Sequence, residues 1–160
     1  MYRILETFAV KPDAKGRIAL PSALRKALGG EMGGGFFIRR SMQETCLEMY
    51  TSRMWEEELG KIQCLNPYVR EHRDFIRRFM AGVRFVEADA VGRGNIPADL
   101  AVWAHFEREV VLSPVGNFFE LWDKDLYEQA LGRGESSYAE LAEKLMGSAG
   151  KEGDGSSREI

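Results

Sequence analysis

The sequence predicts an α+β fold with a pseudo-twofold β-barrel core, made of two interleaved hairpin repeats that are each followed by helices. Three observations carry this reading. A short motif recurs without gaps at an offset of 76 residues, both copies run on to strands with the same ending, and helix-like sequence follows each of those strands. Asp13-Ala14-Lys15-Gly16-Arg17-Ile18-Ala19-Leu20-Pro21-Ser22-Ala23-Leu24 aligns with Asp89-Ala90-Val91-Gly92-Arg93-Gly94-Asn95-Ile96-Pro97-Ala98-Asp99-Leu100, and six positions are identical.

Each motif position has a physical task. Asp13 and Asp89, followed three residues later by Gly16 and Gly92, are turn chemistry: the carboxylate accepts a local N–H and glycine supplies a positive φ. Ile18 to Leu20 then reads as a strand, which Pro21, matched by Pro97, ends while pre-setting the first turn of a helix. Ser22 to Leu28 supplies that helix, and Gly29-Gly30 stops it. The glycine-rich stretch to Gly35 lacks the Lys-Ser/Thr ending of a phosphate loop and is expected to be a flexible connector. Cys46 to Tyr50 and Phe119 to Trp122 close the two copies with the same apolar-Glu-apolar-aromatic pattern. One such unit cannot bury both faces of its strands, whereas two related by a pseudo-twofold interleave and close a small barrel without free edges.

Residues 52–64 and 67–81 read as helices, the second opened by Asn66 as cap with Pro67 in the first turn and closed by Gly82. Val69, His72, Phe75, Ile76, Phe79 and Met80 share one face, expected in the core, with Arg70, Arg73, Arg77 and Arg78 solvated. In the second half, Leu126 to Leu131 and Tyr138 to Met146 are the corresponding helices, the latter opened by the capping box Ser137-x-x-Glu140. Residues 148–160 hold glycine, serine and charge without aromatics and are expected to be disordered. The domain reading is a first repeat with its helical pair over 1–82, a second with its helices over 83–147, and the tail.

Net charge is −3, but residues 1–80 hold 14 Lys and Arg against 10 Asp and Glu, while residues 81–160 hold 8 against 15. A basic face therefore belongs to the first half. No stretch of eighteen uncharged apolar residues occurs, so no membrane partner is expected and the chain reads as cytoplasmic. Cys46 and Cys64 are separated by seventeen residues and form no ligand pair, and His72 and His105 are isolated. No catalytic residues, no metal, no cofactor and no small-molecule ligand are indicated, and the chain is read as no enzyme.

The duplicated motif resembles the Asp-x-x-Gly-Arg-x-x-x-Pro-x-x-x-Arg signature of the AbrB and MazE superfamily, whose fold is a swapped hairpin. Two copies in a chain of this length, with helices after each, are similar to the MraZ family, over roughly residues 1–146. The resemblance implies two tandem AbrB-like swapped hairpins in a nucleoid-associated, sequence-specific DNA-binding repressor. It further implies double-stranded promoter DNA as partner, direct repeats upstream of the division and cell-wall gene cluster as the target, and a closed homo-oligomeric ring. Carried over by position, the DNA-binding residues are Lys11, Lys15, Arg17, Arg25, Lys26 and Arg93. The second copy departs from the signature at Gly94 and Asn95, and has Ala101 and Val102 where the first has Arg25 and Lys26. The first copy is thus expected to dominate contact with DNA, and Arg93 either assists or serves the fold. An antitoxin-like or scaffold protein of the same fold, acting through a protein partner, is the alternative.

Overall fold

The computed structural model describes residues 5–32, 34–134 and 136–147; the tail expected from residue 148 lies outside the described residues. The chain divides into a unit up to Tyr127 and a second from Glu128. Among the described residues the strands are β1 (Phe8–Val10), β2 (Arg17–Ala19), β3 (Gly35–Arg40), β4 (Leu47–Tyr50), β5 (Arg84–Glu87), β6 (Arg93–Asn95), β7 (Val110–Val115) and β8 (Phe118–Asp123). The helices are α1 (Ser22–Leu28), α2 (Ser52–Ile62), α3 (Arg70–Met80), α4 (Ala98–Trp103), α5 (Lys124–Leu131) and α6 (138–147).

Six strands form one antiparallel sheet in the order β1-β7-β8-β4-β3-β5, and β2 pairs with β6 in a separate ribbon. The order exchanges the repeats about its middle: β1, β7 and β8 on one side match β5, β3 and β4 on the other. Each repeat's first strand pairs with a strand of the other repeat, Val10 with Val110 and Val86 with Phe36. The pseudo-twofold axis runs through Glu48 opposite Glu120 and through Ile18 opposite Gly94. The expected closed barrel is not what the ladder forms, since β1 and β5 stand at open edges and the ribbon joins β5 only through the bridge between Ala88 and Gly94. The local cause is covalent: Pro12 and the Asp13 turn break β1 from β2, and Pro21 has no N–H with which to extend β2.

The ribbon packs its inner side on the core, where Ile18, Leu20 and Ile96 are buried with Leu24, Leu100 and the central strands. Gly94 departs from the repeat for a steric reason. A Cβ there would lie 2.9 Å from Phe36 Cε1 and 3.0 Å from both Phe36 Cζ and Val86 Cγ1. By register the position matching Phe36 is Val110. The two halves therefore hold complementary volumes, Ile18 with Val110 in one and Gly94 with Phe36 in the other.

Sequence reasoning missed the buried arginine that ties α2 and α3 to the sheet. Arg39 is 7% exposed; its Nε donates to Glu48 Oε1 at 2.9 Å, its Nη1 to the Phe79 carbonyl at 2.8 Å and its Nη2 to Tyr50 Oη at 3.0 Å. Its guanidinium carbon sits 4.4 Å from the Phe79 ring centroid and 5.2 Å from that of Trp55. Burial, and then the hydrogen bond to Glu48, push the Tyr50 hydroxyl well above its usual pKa. Thr51 caps α2, its Oγ1 accepting from Met54 N at 3.2 Å.

α3 departs from expectation at both its start and its face. It begins at Arg70, because Asn66 Oδ1 is taken by Tyr68 N at 2.9 Å, an Asx turn in place of a cap. Of its apolar face only Phe79 is buried; Val69, Phe75 and Met80 are exposed. The helix docks through its last turn on Arg39 and Trp55 and not along its length. The glycine-rich connector is likewise ordered over Gly29–Met32 as a 3-10 helix, where Glu31 accepts from Thr51 Oγ1 at 3.3 Å and Arg53 Nη1 at 3.4 Å. In the second unit Ser137 Oγ accepts from Glu140 N at 3.2 Å, as the capping box requires.

Two stability measurements follow from this packing. Gly94→Ile overpacks against Phe36 and lowers the urea-unfolding free energy by about 1–3 kcal/mol, and adding Phe36→Val, which copies the Ile18 and Val110 arrangement, restores most of it; equal loss in the single and double variants would refute the complementary volumes. Arg39→Ala leaves Glu48 with an uncompensated, largely buried charge and costs about 3–5 kcal/mol in the same assay.

Candidate nucleic-acid interface

The two Asp-x-x-Gly-Arg turns have the same internal geometry. Asp13 Oδ1 accepts from Lys15 N and Arg17 N, both at 2.9 Å, and Oδ2 accepts from Arg17 Nε at 2.8 Å. Asp89 Oδ1 accepts from Val91 N at 3.0 Å and Arg93 N at 2.8 Å, and Oδ2 from Arg93 Nε at 2.8 Å. Gly16 and Gly92 lie at φ +78° and +80°, and each donates its N–H to the aspartate carbonyl at 2.9 Å. Pro21 and Pro97 then cap α1 and α4 at φ −56° and −54°. The aspartates are structural acids, each orienting an arginine by a side-on ion pair that uses Nε.

Pairing in β2 and β6 sets what faces out. Arg17 lies opposite Asn95, Ile18 opposite Gly94 and Ala19 opposite Arg93. Alternation turns Ile18 and Gly94 inward, and puts Arg17, Ala19, Arg93 and Asn95 on one outward face. The two arginines, whose side chains are 32% and 40% exposed, thus sit diagonally on the same surface, about 7–8 Å apart by ladder geometry with their Cβ atoms somewhat closer.

The other sequence-predicted residues divide. Lys15 is exposed on the first turn, and Lys26 is exposed on α1. Lys11 follows β1 at the sheet edge, where its charge, after that of Lys124, helps hold the Glu109 carboxyl below its usual range. Arg25 does not join the first turn. A Cβ on Gly92 would meet its Cδ at 2.7 Å, Nε at 3.2 Å and Nη1 at 3.4 Å, so the Arg25 side chain lies across the second turn. Its Nε is buried and makes no hydrogen bond among the described residues. Around Gly16 the corresponding neighbour is Asn95, whose Oδ1 is 3.9 Å from the site of a Cβ. The second turn is thus flanked by an arginine from the basic half. Period-two alternation within 93–95 was the signal that could have placed Asn95 on the outward face.

One family model, that for MraZ protein, whose description adds an antitoxin-like label, matches residues 4–77 and again residues 79–148. The chain belongs to the MraZ family. A transcriptional regulator MraZ from Flavobacterium psychrophilum is 46% identical over 147 residues, 92% of this chain and 94% of that protein. The transcriptional regulators MraZ of Christiangramia forsetii and Pelotomaculum thermopropionicum are 45% and 36% identical, over 92% and 84% of this chain and 95% and 89% of their own. Each of the two MraZ matches contains one Asp-x-x-Gly-Arg turn, at 13–17 and 89–93. No helix among the described residues is long and apolar enough to cross a membrane.

The clamped carboxylates give the turns a pH dependence. The Arg17 and Arg93 backbone N–H groups hold Asp13 and Asp89 below the ordinary 3.8, against some desolvation, with the guanidinium and the Lys15 or Val91 N–H adding to the effect. A depressed carboxyl pKa stabilises the folded turn above the unfolded value and loses that contribution as pH falls through the folded one. The amide resonances of Lys15, Arg17, Val91 and Arg93 should titrate with midpoints below 3.8; midpoints at or above it would contradict the clamp.

Proposed function

We propose that the chain is a sequence-specific DNA-binding transcription regulator that lays the β2–β6 ribbon into the major groove of promoter DNA. The observation that carries this reading is the single outward face holding Arg17 and Arg93, each clamped through Nε by its own aspartate. A three-residue ribbon is about 10 Å long and one strand spacing wide, which fits a groove about 12 Å across. Because the aspartate takes Nε, the two Nη atoms of each arginine remain the outer end of a pre-oriented fork, matched to guanine O6 and N7. Ordering the guanidinium in the free protein lowers the entropy cost of that contact.

Lys15, Lys26 and Arg25 flank the face and suit phosphate contact, which positions the ribbon without reading sequence. Lys11, at the sheet edge beside Glu109, is the weakest of the six expected contacts. Arg93 joins Arg17 as a base reader, since the two turns share their geometry and Arg25 flanks the second. The cross-paired strands support the swapped-hairpin reading, with division of the chain into repeats over 1–82 and 83–147. A closed ring of such protomers would present the ribbon several times along one duplex. Direct repeats about one turn, ~10 bp, apart would match it and repress by occlusion. Such a protein works in the cytoplasm at the nucleoid.

Gel shifts on promoter DNA separate the two kinds of contact. Arg17→Ala and Arg93→Ala each weaken binding roughly 5- to 150-fold and relax preference at one base pair. Lys15→Ala weakens all sequences alike and makes the salt slope shallower by about 0.9 per protomer bound. Unchanged binding in both arginine variants would falsify the assignment of the ribbon.

A further inference from the structure

A reader with true twofold symmetry recognises a palindrome and binds it equally in both orientations. The ribbon is only pseudo-symmetric, and its outward face shows where the symmetry fails. Arg17 and Arg93 exchange about the axis through Ile18 and Gly94, but the positions beside them do not: Asn95 stands opposite Arg17, and Ala19 stands opposite Arg93. One end of the face thus pairs a guanidinium with an amide, and the other pairs a guanidinium with a methyl group.

The Asn95 amide has no evident task in the fold. The residue is exposed, and its side chain makes no hydrogen bond among the described residues, although its Oδ1 lies close over Gly16 of the first turn. Asparagine is also a poor strand former, so its place mid-ribbon runs against local preference. The spacing suits base contact. Directly opposed residues have Cβ atoms about 4.5–5.5 Å apart, while successive bases rise about 3.4 Å, so a base pair under Arg17 has its neighbour within reach of Asn95.

We infer that Asn95 is a specificity-determining residue that reads an adenine next to the guanine read by Arg17, and that it gives the ribbon a direction on the duplex. An amide presents one donor and one acceptor, the complement of adenine N7 and N6. Ala19 at the matching position offers only a methyl, which suits a thymine methyl or no contact. The inference rests on the ribbon being the DNA reader, and it explains how a pseudo-symmetric ribbon recognises sites repeated head to tail.

Selection from a random duplex library tests it, using the full chain and the variants Asn95→Ala, Ala19→Asn and Arg17→Ala. The wild type should select a non-palindromic motif. Asn95→Ala should lose discrimination at one adenine roughly 5- to 150-fold, with the salt dependence set by phosphate contacts still present. Ala19→Asn, which makes both ends of the face alike, should gain the same adenine on the opposite strand and select a palindrome. If Arg17→Ala loses preference at its own base pair while Asn95→Ala and Ala19→Asn select the wild-type motif, the ribbon remains the reader and the role of Asn95 is overturned. If the wild type selects no motif at all, the ribbon reading fails first and this inference with it.

Discussion

The antiparallel pairing of β4 with β8 is the constraint on which the rest of the molecule hangs. It sets Leu47 against Leu121 and Met49 against Phe119, and so fixes the axis about which β3 and β7, then β5 and β1, are laid down. It also forces Glu48 and Glu120 directly opposite one another, an arrangement of like charges that is unfavourable by itself. The structure draws the two carboxylates apart chemically. Glu48 accepts from Arg39 and Tyr50, whereas Glu120 accepts from Trp122 Nε1 at 3.0 Å and lies 3.6 Å from Cys46 Sγ. That contact with Glu120 adds to burial in pushing the Cys46 thiol far above its usual pKa, so Cys46 behaves as a small buried hydrophobe.

Relief of this one clash departs from the symmetry of the repeats. By register the position matching Arg39 is Ser113, which cannot neutralise a carboxylate. Among the described residues Arg39 is the buried arginine, and it meets α3 through the Phe79 carbonyl and ring and α2 through the Trp55 ring. The repeat governs the sheet and the turns; the helices follow local chemistry that the repeat does not share.

The internal hydrogen bonds of the turns are local, which is why the turns were legible in the sequence: Asp13 meets Lys15 and Arg17, and Asp89 meets Val91 and Arg93, within four residues. The capping box at Ser137 was legible for the same reason, and the closing strands were legible from their repeated apolar-Glu-apolar-aromatic pattern. Gly94, Arg25 and Arg39 were not, since each is explained by a residue far along the chain: Gly94 by Phe36, Arg25 by Gly92, and Arg39 by Glu48, Tyr50 and the Phe79 carbonyl. The apolar face of α3 misled because periodicity reports which side of a helix is greasy, not how much of its length a core can reach. Of the site, the arginines and lysines were readable by type, but their grouping was not: ladder register, invisible in composition, brings Arg17, Arg93 and Asn95 onto one face and sends Arg25 to the other repeat.

The exchange of strands between repeats has a consequence for synthesis on the ribosome. β1 is complete by residue 10, yet its partner β7 begins at residue 110. At translation rates of about 5–20 residues per second, the nascent β1 waits roughly 5–20 s for its mate. During that interval the first repeat cannot close its core, and the free edges of β1 and β3 are open to the same strands of neighbouring chains on a polysome. The cross-paired fold thus trades independent early folding of its first half for one late, cooperative closure of both.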